Sequence, residues 1–140
     1  MNQIISSLAA VALSLTIAGT ASAGKTFSVK DVKGTYAFSF QGEILGVGPV
    51  AATGVISADG KGNVTQAIRT ISVNGTPVTE TFTCTLSVNA DGTGSAVCPL
   101  DDPTSVPVET FDFAIEDNAK GFRLVGTTPG IVVLGSGRRQ

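Results

Sequence analysis

Chemistry in this chain has few places to happen. Its 140 residues contain no histidine, two cysteines, one tyrosine and only 14% charged residues. The missing histidine removes the commonest general base and transition-metal ligand, and with it Ser-His-Asp and Cys-His catalysis. Few polar side chains have the parity of an apolar face, and the candidates for acid–base work are Tyr36, Glu80 and Arg69. Tyr36 shares the parity of Phe38 and Phe40, and Glu80 that of Phe82. Arg69 lies in a segment where Thr65, Ala67, Ile71 and Val73 oppose Val64, Gln66, Ile68 and Ser72, so neither face is clearly apolar. Converging in an apolar interior, the three would suffice for proton transfer or charge stabilisation, and a Glu buried there would have its pKa raised by desolvation. The plainer expectation puts Glu80 at a strand mouth in water and makes Tyr36 a core aromatic with its hydroxyl at the barrel end. No catalytic residue is assigned outright.

The cysteines read structurally. Cys84 and Cys98 flank Asn89-Ala90-Asp91-Gly92-Thr93. If Asn89 and Thr93 close a three-residue loop, Gly92 takes the left-handed position of a G1 bulge. Paired residues in that register have numbers with a constant sum, and Cys84 and Cys98 satisfy it. The two sulfurs then sit opposite each other on adjacent strands, and an oxidising compartment lets them form a disulfide. A redox-active or nucleophilic thiol is the alternative, but neither a CxxC nor a histidine accompanies them.

The amino terminus supplies such a compartment. Residues 4–18 are an apolar, small-residue run ending in Gly19-Thr20 and then Ala21-Ser22-Ala23, a small-x-small cleavage signature. The run is short for a membrane span, which needs roughly 20 apolar residues. Residues 1–23 therefore read as a signal peptide cleaved after Ala23, and 24–140 as one exported domain, periplasmic or extracellular, with no membrane span. A buried N-terminal helix or strand is the competing reading. The formal charge of −2 argues against nucleic acid as a partner.

The elements that must hold these residues are strands. Runs of Val, Thr, Phe and Ile punctuated by Gly, Asn-Gly and Asp-Gly predict strands at 34–42, 50–58, 63–73, 77–88, 93–100, 107–116, 121–127 and 130–136. A short helical turn is expected within 25–33. The connections are mostly short, so the expected fold is all-β, an antiparallel up-and-down eight-stranded barrel, in which closure removes the exposed edges. A two-sheet β-sandwich is the alternative, because the link from Pro99 to Pro107 is long enough to cross between sheets.

Alternation separates the faces. Val78, Phe82, Cys84, Leu86 and Val88 share one parity, and Thr79, Thr81, Thr83, Thr85 and Ser87 the other. A period of two places the first set inward and the second in water. Tyr36, Phe38, Phe40, Phe82, Phe111, Phe113 and Phe122 make an aromatic inner face, which is either a filled core or the lining of an apolar cavity.

The segment Phe27-Ser28-Val29-Lys30-Asp31-Val32-Lys33-Gly34-Thr35-Tyr36 resembles the opening of a calycin barrel. In lipocalins an aromatic-led turn leads into G-x-W on the first strand, and a basic residue after the last strand packs over that ring. Gly34-Thr35-Tyr36 is similar, with Tyr in place of Trp, and Arg138 or Arg139 is placed to follow the eighth strand. Allene-oxide-cyclase-like barrels share the architecture and size. The resemblance implies enclosure of a small apolar ligand without a cofactor, or a cofactor-free cyclase or isomerase in the same kind of cavity. An envelope or extracellular interaction protein with a solid core stays open beside them, as does the oligomeric state.

Three further motifs have plain readings beside functional ones. The repeated Ala-Asp-Gly-x-Gly at Asp59 and Asp91 has oxygen ligands for Ca²⁺ but not the carboxylate set of an EF-hand, and suits ordinary turns. Asp101 and Asp102, with Glu109 and Asp112 nearby, are a cation site or a solvated acidic loop. The threonine row at 79–87 is a lattice-matching surface or a solvated strand face.

Overall fold

The computed structural model describes residues 24–101 and 108–140. The expected signal peptide, residues 1–23, and Asp102 of the acidic loop lie outside the described residues.

Eight strands form one closed antiparallel barrel in sequence order: β1 (Lys33–Ile44), β2 (Gly48–Asp59), β3 (Asn63–Val73), β4 (Thr76–Val88), β5 (Thr93–Pro99), β6 (Val108–Glu116), β7 (Gly121–Gly126) and β8 (Ile131–Arg139). The sandwich alternative is overturned. β5 and β6 pair directly, from Thr93↔Ala114 to Pro99↔Val108, so the strands on either side of the long link are neighbours in one sheet. A 3-10 turn at Val29–Asp31 precedes β1, and among the described residues no helix is long and apolar enough to cross a membrane.

Closure depends on β8 pairing with β1 from Ile44↔Ile131 to Tyr36↔Arg139. The strand runs three residues beyond its expected end, so Arg138 and Arg139 belong to the wall and do not follow the eighth strand. Backbone amides pair whatever side chains they carry, and periodicity of apolar residues cannot register such an end.

The β4–β5 hairpin has the expected register. The Asn89 amide donates to the Thr93 carbonyl at 2.7 Å, Gly92 has φ of 90°, and Thr85↔Val97 continues the ladder. One step further Cys84 and Cys98 are joined by a disulfide, with Cα atoms 4.1 Å apart.

A bulge in β3 explains its mixed faces. Against β4 the register moves from Val64↔Cys84 to Ala67↔Phe82, so one extra residue shifts the alternation. Val64 is buried before the bulge and Ala67, Arg69 and Ile71 after it. Val78 corrects the expectation for β4: although its parity is inward it is 49% exposed. The last described bridge on that side of the strand is Phe82↔Leu100, so Val78 stands at the mouth with β3 as its described neighbour.

Candidate functional site

The barrel interior has two levels. The ends of β2, β4 and β6 and the starts of β1, β3, β5 and β7 make one mouth, here the lower one. Above it lies an apolar cavity of about 90 Å³. Of the seven aromatics expected to face inward, Tyr36, Phe38, Phe82, Phe111, Phe113 and Phe122 line this cavity. Phe40 does not: it sits one level higher, beside a void of about 20 Å³.

The space exists because bulky and absent side chains face each other across the strands. Phe122 pairs with Gly137, and a Cβ built on that glycine would meet the Phe122 ring. Phe113 likewise pairs with Gly94. Each ring takes space beside bare backbone that a side chain on the facing glycine would fill.

Tyr36 is buried at the lower end of this chamber. Its hydroxyl donates to the Ala119 carbonyl at 2.8 Å. Burial pushes the phenol up from its ordinary value, against the opposing charge of Arg139. The acceptor belongs to an unusual turn: Asp117, Asn118 and Ala119 have φ of 50°, 54° and 68°. Left-handed backbone costs an L-residue about 1–2 kcal/mol, so the tyrosine bond holds a conformation that alanine disfavours.

The upper level carries the charge. Arg69 is 2% exposed and lies between the rings of Phe40 and Phe82, its guanidinium carbon 5.7 and 5.0 Å from their centroids. Its Nε and Nη2 donate to Glu80 Oε2 at 2.8 and 2.7 Å. On the other side Nη1 donates to Glu109 Oε2 at 2.6 Å and Nη2 to Glu109 Oε1 at 2.9 Å. Burial works against the Arg69 charge, but the bonds and charges of Glu109 and then Glu80 outweigh it and raise its pKa.

Thus Arg69 and Glu80 do come together, and Tyr36 does not join them. The third partner is Glu109, in place of the cation site or solvated acidic loop expected for it. Its parity with Phe111 and Phe113 is the signal in the sequence for an inward position. Asp101 instead accepts a bond from Thr81 on the outer face, at 2.8 Å.

The Asp-Gly loops use their carboxylates on their own turns. Asp59 accepts from the Lys61 and Asn63 amides at 2.7 and 3.0 Å, and Asp91 from the Thr93 amide at 2.9 Å. Among the described residues no group of three His, Cys, Asp or Glu is placed to hold a metal. The threonines of β4 are exposed, and Thr70 and Thr79 bond across the outer face at 3.3 Å. Comparison with protein-family models, curated proteins and solved structures finds no match to this chain.

Proposed function

We propose that this protein is an exported, non-catalytic carrier that holds a small apolar ligand in the lower chamber of its barrel. The observation that carries the reading is the lining: every side chain around the cavity is apolar, aromatic or part of the disulfide, and the one hydroxyl, on Tyr36, is already bonded. A site without polar anchors selects by shape and apolar burial, worth roughly 25 cal/mol per Å².

The size narrows the ligand. Drug-sized molecules occupy pockets of roughly 300–1,000 Å³, and an apolar cavity of about 150 Å³ takes benzene. A chamber of about 90 Å³ suits a short alkyl group or, with small shifts of its rings, a single aromatic ring.

Export with cleavage after Ala23 belongs to the same reading, supported by the Cys84–Cys98 disulfide, which persists in oxidising compartments. So does the calycin likeness. It is supported by the segment before β1, where Phe27 bonds to Ala90 and Val32 lines the chamber, and by Tyr36 pairing with Arg139.

Native mass spectrometry of the protein purified from its own host tests this: a co-purified small molecule is expected. Gly137→Ala, which drives Phe122 into the chamber, should lower the occupied fraction several-fold. A protein that carries nothing and takes up no small apolar probe would instead be a solid-core interaction domain.

A further inference from the structure

The charges of the barrel are sorted by end. Of the nine Lys and Arg, Arg69 is inside, and the other eight lie on the segment before β1 or on strand ends and turns at the lower mouth. Five acids share that end: Asp31, Asp59, Asp91, Glu116 and Asp117. The balance there is positive although the chain as a whole is at −2. Upward the sign reverses: Glu43 and Asp101 lie at the other mouth, and the inner cluster sets two carboxylates against one guanidinium.

The lower acids also leave several of the cations at that end unpaired. Asp31, Glu116 and Asp117 are paired with Lys25, Arg123 and Arg138. Lys30, Lys33, Lys61, Lys120 and Arg139 are outside the ion pairs formed among the described residues. Arg139 is placed beside a residue of the chamber wall. It pairs with Tyr36 in the ladder, its charge acts on the Tyr36 phenol, and its Nε lies 3.0 Å from where a Cβ on Gly34 would stand. Its amide donates to the Lys120 carbonyl at 2.7 Å, bringing the backbone of a second unpaired cation to the same rim.

An apolar chamber with a positive lower rim, and a cluster of two carboxylates and one guanidinium at the level above, fits one chemical class. We propose that the ligand is a small anionic amphiphile, a carboxylate on a short alkyl chain or a single ring. Its tail lies among Phe111, Phe113 and Phe122 and its head at Arg139 and Lys120. The inference rests on the carrier reading and adds orientation and charge. An amine head would meet like charge at the lower mouth. A carboxylate entering from above would meet Glu80 and Glu109.

The chain has no Trp and Tyr36 is its single Tyr, so tyrosine fluorescence reports on the chamber directly. Hexanoate, hexanamide and hexylamine are titrated against the purified protein by this signal and by calorimetry. Hexanoate is expected to bind about tenfold more tightly than the amide. That margin should shrink in high salt, because exposed charges are screened, and fall at least threefold in Arg139→Gln, with hexanamide affinity unchanged. Equal affinity for hexanoate and hexanamide would overturn the anionic head and leave the carrier intact. Failure of all three to bind would overturn both.

Discussion

Arg69 on β3 and Glu109 on β6 meet inside the barrel as a two-bond fork, Nη1 to Oε2 at 2.6 Å and Nη2 to Oε1 at 2.9 Å. Glu80 holds the remaining edge of the guanidinium. Removing one member of such a buried set leaves uncompensated charge, whereas replacing the whole set with apolar groups is often neutral or stabilising. Arg69→Met should therefore cost about 3–5 kcal/mol in urea unfolding. The triple variant Arg69→Met, Glu80→Leu, Glu109→Leu should recover most of that loss. A triple variant no more stable than the single one would show that the cluster adds net stability.

Tyr36 and Ala119 give a second prediction. Tyr36→Phe strips the Ala119 carbonyl of its buried donor, at a cost of about 1–3 kcal/mol. Ala119→Gly removes the penalty of a φ of 68° on a residue with a Cβ, so it should stabilise by up to about 1 kcal/mol. Thermal unfolding of the two variants checks both signs. Destabilisation by the glycine would mean that the turn is not under strain.

The disulfide closes a loop of sequence separation 14. Its removal in Cys84→Ala, Cys98→Ala should lower stability by about 3 kcal/mol. Electrophoretic mobility under non-reducing conditions should change with it. Unchanged stability and mobility would mean that the bond is not formed in the protein as isolated.

Two turns should respond to acid. The Asp59 carboxyl is held below its ordinary value of 3.8 first by the Asn63 side chain, and that of Asp91 first by the Thr93 side chain. Their native pKa values are depressed, so the stabilisation is complete above 3.8 and is lost as pH falls through the lower native values. Carboxyl-carbon NMR titration should give both midpoints below 3.8, with the Lys61, Asn63 and Thr93 amides losing protection relative to their intrinsic exchange rates under the same acid conditions. Midpoints at or above 3.8 would contradict the turn bonds.

Part of the site is legible in the chain because a strand alternates strictly. Tyr36, Phe38, Phe82, Phe111, Phe113 and Phe122 are all placed on the inner face by parity, and all line one cavity. The rule fails where the strand departs from its own period. The bulge between Val64 and Ala67 hides the inward position of Arg69, since a single extra residue moves every later side chain to the other face. Glu109 was readable by parity, but its neighbourhood of Asp101, Asp102 and Asp112 pointed to a solvated loop. A buried carboxylate is stable only beside a partner, and its partner lies 40 residues away in the chain.

What the sequence determines by itself is local and periodic: eight strands, the register of the β4–β5 hairpin, the cysteine pairing that follows from it, and which aromatics turn inward. Turn chemistry and alternation act over a few residues, so they survive in a string of letters. Only the tertiary structure decides how far β8 runs along β1, that Arg69, Glu80 and Glu109 form one cluster, and that Tyr36 lies apart from them, bonded to Ala119. It also decides that the interior is hollow, because volume depends on which residues face each other across strands. Phe122 opposite Gly137 leaves space that neither residue specifies alone.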